Sequence, residues 1–177
     1  LHRRVVITIK PGMAFGTGTH FTTRSCLEFI EEVCSSRDGK HDRALDVGTG
    51  SGILAIALAK MGVKEVLALD NDLVALGVAR SNVRSNRVRE FVRLSAASPA
   101  AVKGAFTLLA ANLVAETIID LAHVLKRRVC RNGYLILSGI LKPKVRDVLR
   151  RFTPAPFVLL REKADKEWVT LLLRKER

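Results

Sequence analysis

Asp46-Val47-Gly48-Thr49-Gly50-Ser51-Gly52 follows the short apolar run Arg43 to Leu45 and precedes the apolar stretch Ile53 to Met61. The order reads as strand, glycine turn, helix. Glycine has no Cβ, so three of them at alternate positions let the backbone turn sharply and approach a ligand more closely than a substituted residue could. Asp70 ends the next apolar run, Val66 to Leu69, and stands 22 positions after Gly48 (70 − 48), where a carboxylate reaches ribose hydroxyls. A tight strand-to-helix turn that binds nothing is the other reading of the glycines, and Asp70 in register tells against it.

The spacing also separates two cofactor classes. A dinucleotide fingerprint, G-x-G-x-x-G, would need glycine at position 53, where this chain has Ile53. A nicotinamide dinucleotide is therefore disfavoured. G-x-G-x-G with a downstream acid resembles the first motif of the class I S-adenosylmethionine (SAM) methyltransferases, whose cofactor has no pyrophosphate for a helix N-terminus to hold.

Outward from the turn, strand and helix alternate without internal repeat or low-complexity segment. Arg4 to Ile9 reads as a leading strand, and Thr22 to Cys34 as a helix with Leu27, Ile30 and Cys34 on one side. Strands are expected at Arg43 to Val47, Glu65 to Leu69, Glu90 to Leu94, Phe106 to Ala111 and Gly133 to Ser138. Helices are expected at Gly52 to Met61, Asp72 to Asn86, Val114 to Cys130 and Lys142 to Phe152. Ile118, Leu121, Ala122, Leu125 and Val129 form a core-facing stripe on the third of these. Phe157 to Lys163 and Glu167 to Arg174 close the chain as a hairpin. The expected fold is α/β, a doubly wound, mostly parallel seven-stranded sheet with an antiparallel C-terminal hairpin, its ligand crevice at the carboxyl ends of the strands.

Composition sets the outer bounds. A chain of 177 residues that is 48% hydrophobic has the size of one domain and buries about 70% of its unfolded surface. It has no run of 18 apolar residues and no charged-then-apolar leader, so a soluble, cytoplasmic protein without membrane contact is expected. Cys26, Cys34 and Cys130 show no C-x-x-C spacing and each falls in an expected helix. Small buried thiols, rather than a disulfide or a metal site, are the reading.

The charge is lopsided: 30 Lys and Arg against 17 Asp and Glu leave +13. Arg80, Arg84 and Arg87 share one helix face, Lys126 to Arg128 with Arg131 cluster at the end of another, and Lys142, Lys144, Arg146, Arg150 and Arg151 line a third. Such stripes are either solvated helix surface or a phosphate-facing patch for nucleic acid, ribosomal RNA included. At 5% aromatic, the chain is poor in the stacking residues of single-strand binders.

Three further features point at the crevice. Asn112 follows the strand ending at Ala111, where its amide can both donate and accept; it either serves the site or caps the next helix. Pro11 to His20 holds three glycines around Phe15, a composition for a lid whose aromatic covers a ligand face, or for a plain linker. Thr22 and Thr23 follow, as helix caps or as ligands of the cofactor's amino acid part. His20, at the end of the loop, reads as a plain polar residue more readily than as a base.

These stretches together carry a particular resemblance: Pro11-Gly12-Met13-Ala14-Phe15-Gly16-Thr17-Gly18-Thr19-His20 with Thr22-Thr23, Leu45 to Ala57, Ala111-Asn112-Leu113, Leu137-Ser138-Gly139-Ile140-Leu141 and Glu167-Trp168. Over nearly the whole chain the sequence resembles the bacterial methyltransferases of ribosomal large-subunit protein eleven. The resemblance implies SAM as cofactor and methylation of lysine ε-amines and an N-terminal α-amine on that ribosomal protein. It implies SAM contacts at Thr23, Gly48, Asp70 and Asn112, with Asp46, Thr49 and Gly50 in the motif itself, and a lid aromatic in Phe15. Asn112 is the residue assigned to orient the acceptor amine. Family members also carry an N-terminal domain that grips the ribosomal substrate, and this chain begins with Leu1 at what would be the linker. The expectation is one catalytic domain over residues 1–177 with the docking domain absent, either an excised fragment or a short relative with another substrate. After the third strand of the motif, Ser95-Ala96 offers no acid for an adenine amine, so backbone amides or Ser95 are expected there. An RNA or small-molecule methyltransferase using the same cradle, and a SAM-binding module without turnover, are the competing readings. Against methylation of an adenine amine, Asn112 is followed by Leu113-Val114-Ala115 rather than Pro-Pro-aromatic.

Overall fold

The computed structural model describes residues 5–10, 18–36, 41–153 and 156–176. After a first helix α1 (Phe21–Ser35), the chain alternates β1 (Arg43–Val47), α2 (Ile53–Lys60), β2 (Glu65–Leu69), α3 (Leu73–Ser85), β3 (Val92–Ser95), β4 (Phe106–Asn112), α4 (Ala115–Arg128) and β5 (Val129–Leu141). It ends with a 3-10 turn (Lys142–Lys144), α5 (Val145–Phe152), β6 (Phe157–Ala164) and β7 (Trp168–Lys175). The sheet has seven strands in the order β3-β2-β1-β4-β5-β7-β6, the first five parallel and β7 antiparallel to both of its neighbours. This is the doubly wound architecture expected. The order reverses between β1 and β4, and in such sheets the ligand crevice opens at that switch, beyond the carboxyl ends of the strands.

Side-chain alternation along the central strands divides the interior into two layers. Leu108, Ala110 and Ile136 pack with Cys26, Phe29, Ile30 and the apolar residues of α2 on one face. Leu109, Ala111, Leu135 and Leu137 pack with Ile118, Leu125, Val148 and Phe152 on the other. Helix α2 is buried from Ile53 to Ala59, which explains why its sequence is apolar all round instead of striped.

Three expectations are corrected. Val5 to Ile9, expected within a leading strand, pairs with no strand; Arg4 lies outside the described residues. The segment is instead strapped to α3 by side-chain amides: the Thr8 N–H donates to Asn86 Oδ1 at 2.9 Å, the Lys10 N–H donates to Asn82 Oδ1 at 3.1 Å, and Asn86 Nδ2 donates back to the Thr8 carbonyl at 2.6 Å. Cys130 is not helical: α4 stops at Arg128 and the chain passes straight into β5. The expected helix at Lys142 begins as the 3-10 turn, with Pro143 at its start. Cys26 is buried and Cys34 and Cys130 are partly so, all with free thiols; burial pushes the Cys26 thiol up to about 12, so it is inert. Among the described residues no three His, Cys, Asp or Glu are grouped to hold a metal, and no helix is long and apolar enough to cross a membrane.

Candidate functional site

The glycine turn after β1 directs its own N–H groups inward. Gly48 and Thr49 N–H both donate to the Leu69 carbonyl at 2.8 Å, Gly52 N–H to the Thr49 carbonyl at 2.8 Å, and Gly50 N–H to Asp70 Oδ2 at 2.8 Å. A loop that cradles phosphate leaves such donors free for the anion. Here they hold the turn against the end of β2. The geometry thus supports the reading that spacing had suggested, against a pyrophosphate-bearing cofactor.

What the turn offers a ligand is negative charge. Asp70 follows the last residue of β2 and is half-buried, its Oδ1 accepting the Asp72 N–H at 3.0 Å and its Oδ2 the Gly50 N–H. Each oxygen keeps a lone pair for another donor, such as a ribose hydroxyl. Asp46 lies fully buried beneath the turn, where Oδ2 accepts from Thr49 Oγ1 at 2.6 Å and from the Ala55 N–H at 3.2 Å. Ala55 is in the first turn of α2, so this carboxylate caps a helix whose cap residue, Gly52, has no side chain to do it. Asp46 Oδ1 has no partner among the described residues. Burial is the main cause that pushes the Asp46 carboxyl up to about 6; the bonds from Thr49 and Ala55 oppose it, and the negative charge of Asp70 adds to it.

An acid raised in the folded state from about 3.8 to about 6 binds more protons folded than unfolded between those pH values. Its contribution to stability is therefore present below about pH 4 and lost as pH rises through 6, by about 3 kcal/mol. Asp46→Asn keeps an acceptor for Thr49 and Ala55 and removes the charge. The difference in unfolding free energy between wild type and variant is expected to shift by that amount, in favour of the variant, between pH 4 and pH 7 in urea titrations. Parallel pH profiles would clear Asp46 of the charge.

The second half of the site stands where β4 and β5 end. Asn112 caps nothing: α4 starts behind Val114 without a side-chain cap, and Asn112 Nδ2 donates to Thr22 Oγ1 at 3.4 Å. Thr22 Oγ1 lies 2.8 Å from His20 Nδ1, which also accepts the Thr22 N–H at 3.4 Å. His20 is the N-cap of α1, its Nδ1 accepting the Thr22 N–H. The His20 ring meets Trp168 edge to face, 5.4 Å between centroids. Ser138, opposite Asn112 across the β4–β5 ladder, shares a 2.6 Å bond with Thr170 Oγ1 and donates to the Thr22 carbonyl at 3.3 Å. It sits where the β5–β7 register shifts between Leu137 and Ile140, and a bulge of this kind re-aims side chains beside a site.

Gly139, in that bulge, has φ +81, and a Cβ on it would lie 2.4 Å from the Leu113 carbonyl oxygen and 3.2 Å from Asn112 Oδ1. Only glycine lets the Asn112-Leu113 backbone lie against β5, where the Leu113 N–H reaches the Ser138 carbonyl at 3.0 Å. Leu113 in turn covers the glycine turn: a Cβ on Gly48, whose φ is +74, would lie 2.3 Å from Leu113 Cδ2.

Of the residues expected in the site, Asp46, Gly48, Thr49, Gly50, Asp70 and Asn112 all gather at the carboxyl ends of β1, β2 and β4. Thr23 is buried in α1, but Thr22 is the threonine whose hydroxyl meets Asn112. Phe15 lies outside the described residues. Ser95 Oγ accepts the Ala97 N–H at 3.1 Å, at the edge where an adenine contact was expected. The polar chain from Ser138 and Thr170 through Thr22 to Asn112 was not legible in the sequence. Its one advance signal was the Ser138-Gly139 pair in the middle of an apolar run.

The chain is similar in sequence and fold to known proteins. A ribosomal protein L11 methyltransferase of Citrifermentans bemidjiense is 43% identical over 173 residues, covering 97% of this chain and 56% of that protein. The chain thus spans about half the length of the relatives it matches. A crystal structure of the ribosomal protein L11 methylase from Lactobacillus delbrueckii subsp. bulgaricus superposes with a TM-score of 0.87 at 32% identity, over 97% of this chain and 86% of that one. The magnesium protoporphyrin IX methyltransferase of Synechocystis, solved with bound SAM, shares the fold with a TM-score of 0.72 at 18% identity, over 86% of this chain and 79% of that one. The family model described as ribosomal protein L11 methyltransferase (PrmA) matches residues 2–176, and the chain belongs to that family.

Proposed function

We propose that this chain is the catalytic part of a SAM-dependent protein N-methyltransferase that modifies lysine ε-amines and the N-terminal α-amine of ribosomal protein L11 in the cytoplasm. One observation carries the reading beyond family membership. In a chain of net charge +13, the glycine turn has one half-buried carboxylate, Asp70, at its rim and a second, Asp46, buried beneath it, while the N–H groups of Gly48, Thr49, Gly50 and Gly52 are engaged within the protein, which suits a cationic sulfonium ligand better than a polyphosphate. When bound, SAM supplies an activated methyl group for in-line displacement. Asp70 would hold the ribose hydroxyls, Gly48 would let Leu113 fold over the turn beside the ligand, and the buried charge of Asp46 would favour a cation from beneath the turn.

The acceptor must reach the methyl as a neutral amine, and freeing a lysine lone pair at pH 7 costs about 4.6 kcal/mol from a reference pKa of 10.4. Asn112 meets part of this demand. With Nδ2 engaged by Thr22, its Oδ1 is left to accept an amine N–H and turn the lone pair toward the donor. His20 Nδ1, already accepting from Thr22, is a prop for that arrangement and not the base. A nearby sulfonium and exclusion of water lower the amine pKa further.

The test is incubation with methyl-labelled SAM and either purified L11 or a ribosome extract, followed by mass spectrometry of proteins and RNA. Micromolar-range SAM binding and label on L11 amines are expected. Label confined to RNA would place the chain among RNA methyltransferases. Binding without transfer would leave a passive SAM-binding module.

A further inference from the structure

Three basic stripes run over the surface, and the structure treats them differently. At the end of α4, Arg128 donates to the carbonyls of Pro99 and Ala100, and Lys126 Nζ to that of Arg151 at 2.8 Å. Around α5, Lys144 pairs with Glu116 at 3.1 Å and Arg150 with Asp147 at 3.6 Å. These four cations serve the fold or are neutralised in place, whereas Arg127, Arg131, Arg146 and Arg151 of the same stripes have no ion pair among the described residues. On α3, Arg80 and Arg84, with Lys10 of the strap beside them, likewise have no described carboxylate within ion-pair distance, while Arg87, expected on the same face, lies past the helix end at φ +59; what distinguishes these cations is the cleft they line.

Lys10, Arg80 and Arg84 line a cleft of about 380 Å³ together with Ser81, Ser85 and Gly77. Gly77 is the telling residue. It lies inside α3 at an ordinary helical φ, and a Cβ there would meet nothing within 4 Å. Neither conformation nor packing requires glycine, although glycine weakens a helix interior by about 1 kcal/mol against alanine. A use for the empty floor of the cleft accounts for it. The lining holds only cations, hydroxyls and bare backbone. A protein partner would want apolar or aromatic anchors at the centre of its contact, and a single-stranded nucleic acid would want stacking platforms; the cleft has neither. Arginine, lysine and serine are the side chains that hold phosphate oxygens, and serine hydroxyls can also pair with the 2′-hydroxyls that A-form duplexes display in their shallow groove.

We propose that the cleft between Lys10 and the Gly77–Ser85 face of α3 docks the sugar-phosphate backbone of base-paired RNA. The docking is separate from methyl transfer: α3 turns this face outward, while Asn82 and Asn86 of the same helix point inward to the strap and the glycine turn.

Fluorescence anisotropy with a labelled RNA hairpin, titrated from about 0.05 to 0.2 M salt, tests this. Arg80→Gln with Arg84→Gln is expected to weaken binding at least tenfold and to flatten the log K against log salt slope by about 1.5 to 2, the value of two lost phosphate contacts. Arg127→Gln with Arg131→Gln removes the same charge elsewhere and is expected to change binding less than threefold. Gly77→Gln, which fills the floor with a better helix former, is expected to weaken binding at least fivefold while the melting temperature holds or rises. Far-UV circular dichroism and melting curves confirm that the variants are folded. Equal losses for the two arginine pairs, or full binding by Gly77→Gln, would overturn the proposal. So would equal affinity for the DNA duplex of the same sequence, or displacement of the RNA by polyglutamate at equal charge, which would make the surface a general polyanion binder.

Discussion

Gly139→Ala is expected to lower unfolding stability by about 3 kcal/mol or more, roughly 6 to 12 °C in melting temperature, and to remove methyl transfer even well below that temperature. The φ of +81 is unfavourable for any residue with a Cβ, by about 1–2 kcal/mol. The new carbon would also stand 2.4 Å from the Leu113 carbonyl oxygen. That atom is backbone and tied into the Leu113 N–H to Ser138 carbonyl connection, so it cannot swing aside without carrying Asn112 with it. Gly48→Ala makes an instructive contrast, because its Cβ would strike the far end of the Leu113 side chain at 2.3 Å. Leu113→Ala should relieve much of the Gly48→Ala loss and none of the Gly139→Ala loss. Thermal melts of the two double variants read this directly; rescue of both would show that the backbone approach at Gly139 is not what limits it, and rescue of neither would show that the positive φ of Gly48, not the Leu113 side chain, sets the Gly48→Ala loss.

Asp70→Ala should weaken SAM binding at least tenfold, about 1.4 kcal/mol, in a calorimetric titration. Two losses combine. The carboxylate no longer offers lone pairs to a ribose, and the Gly50 and Asp72 N–H groups lose the acceptor that fixes the turn to the end of β2. Asp70→Asn separates them, since its remaining oxygen can keep one backbone donor without the charge. A loss under twofold in Asp70→Ala would mean that the ribose is held elsewhere and that the assignment of the crevice fails.

The central sheet could be read in advance because its signals are local. A buried strand such as Leu108 to Ala111 is an unbroken apolar run, and the glycine turn joins one such strand to a helix within seven residues. The misreadings have non-local causes. Val5-Val6-Ile7-Thr8-Ile9 is β-branched enough to look like a strand, yet its hydrogen-bond partners are the amides of Asn82 and Asn86, more than 70 positions away. Cys130 reads as helical in sequence because Val129 prolongs the apolar stripe of α4, whereas Val129 begins β5 and pairs with Phe106. Within the site, neighbouring threonines on a helix point about 100° apart, and which one faces Asn112 depends on how α1 is rolled against the sheet. Asp46 shows another limit: its place after a strand was plain, but its work as a buried cap for α2 depends on where the Ala55 N–H points.

Asn82 reaches in two directions with its one side chain. Its Nδ2 grips the Ser51 carbonyl in the glycine turn at 2.9 Å while its Oδ1 receives the Lys10 N–H at 3.1 Å. Lys10 is the root from which the chain departs toward residues 11–17, and Gly18, where the described chain resumes, rests against Ile53 just past the same turn. Lys10 and Gly18, which flank residues 11–17, are therefore both held beside the glycine turn, and a single amide joins the outer strap to that innermost loop.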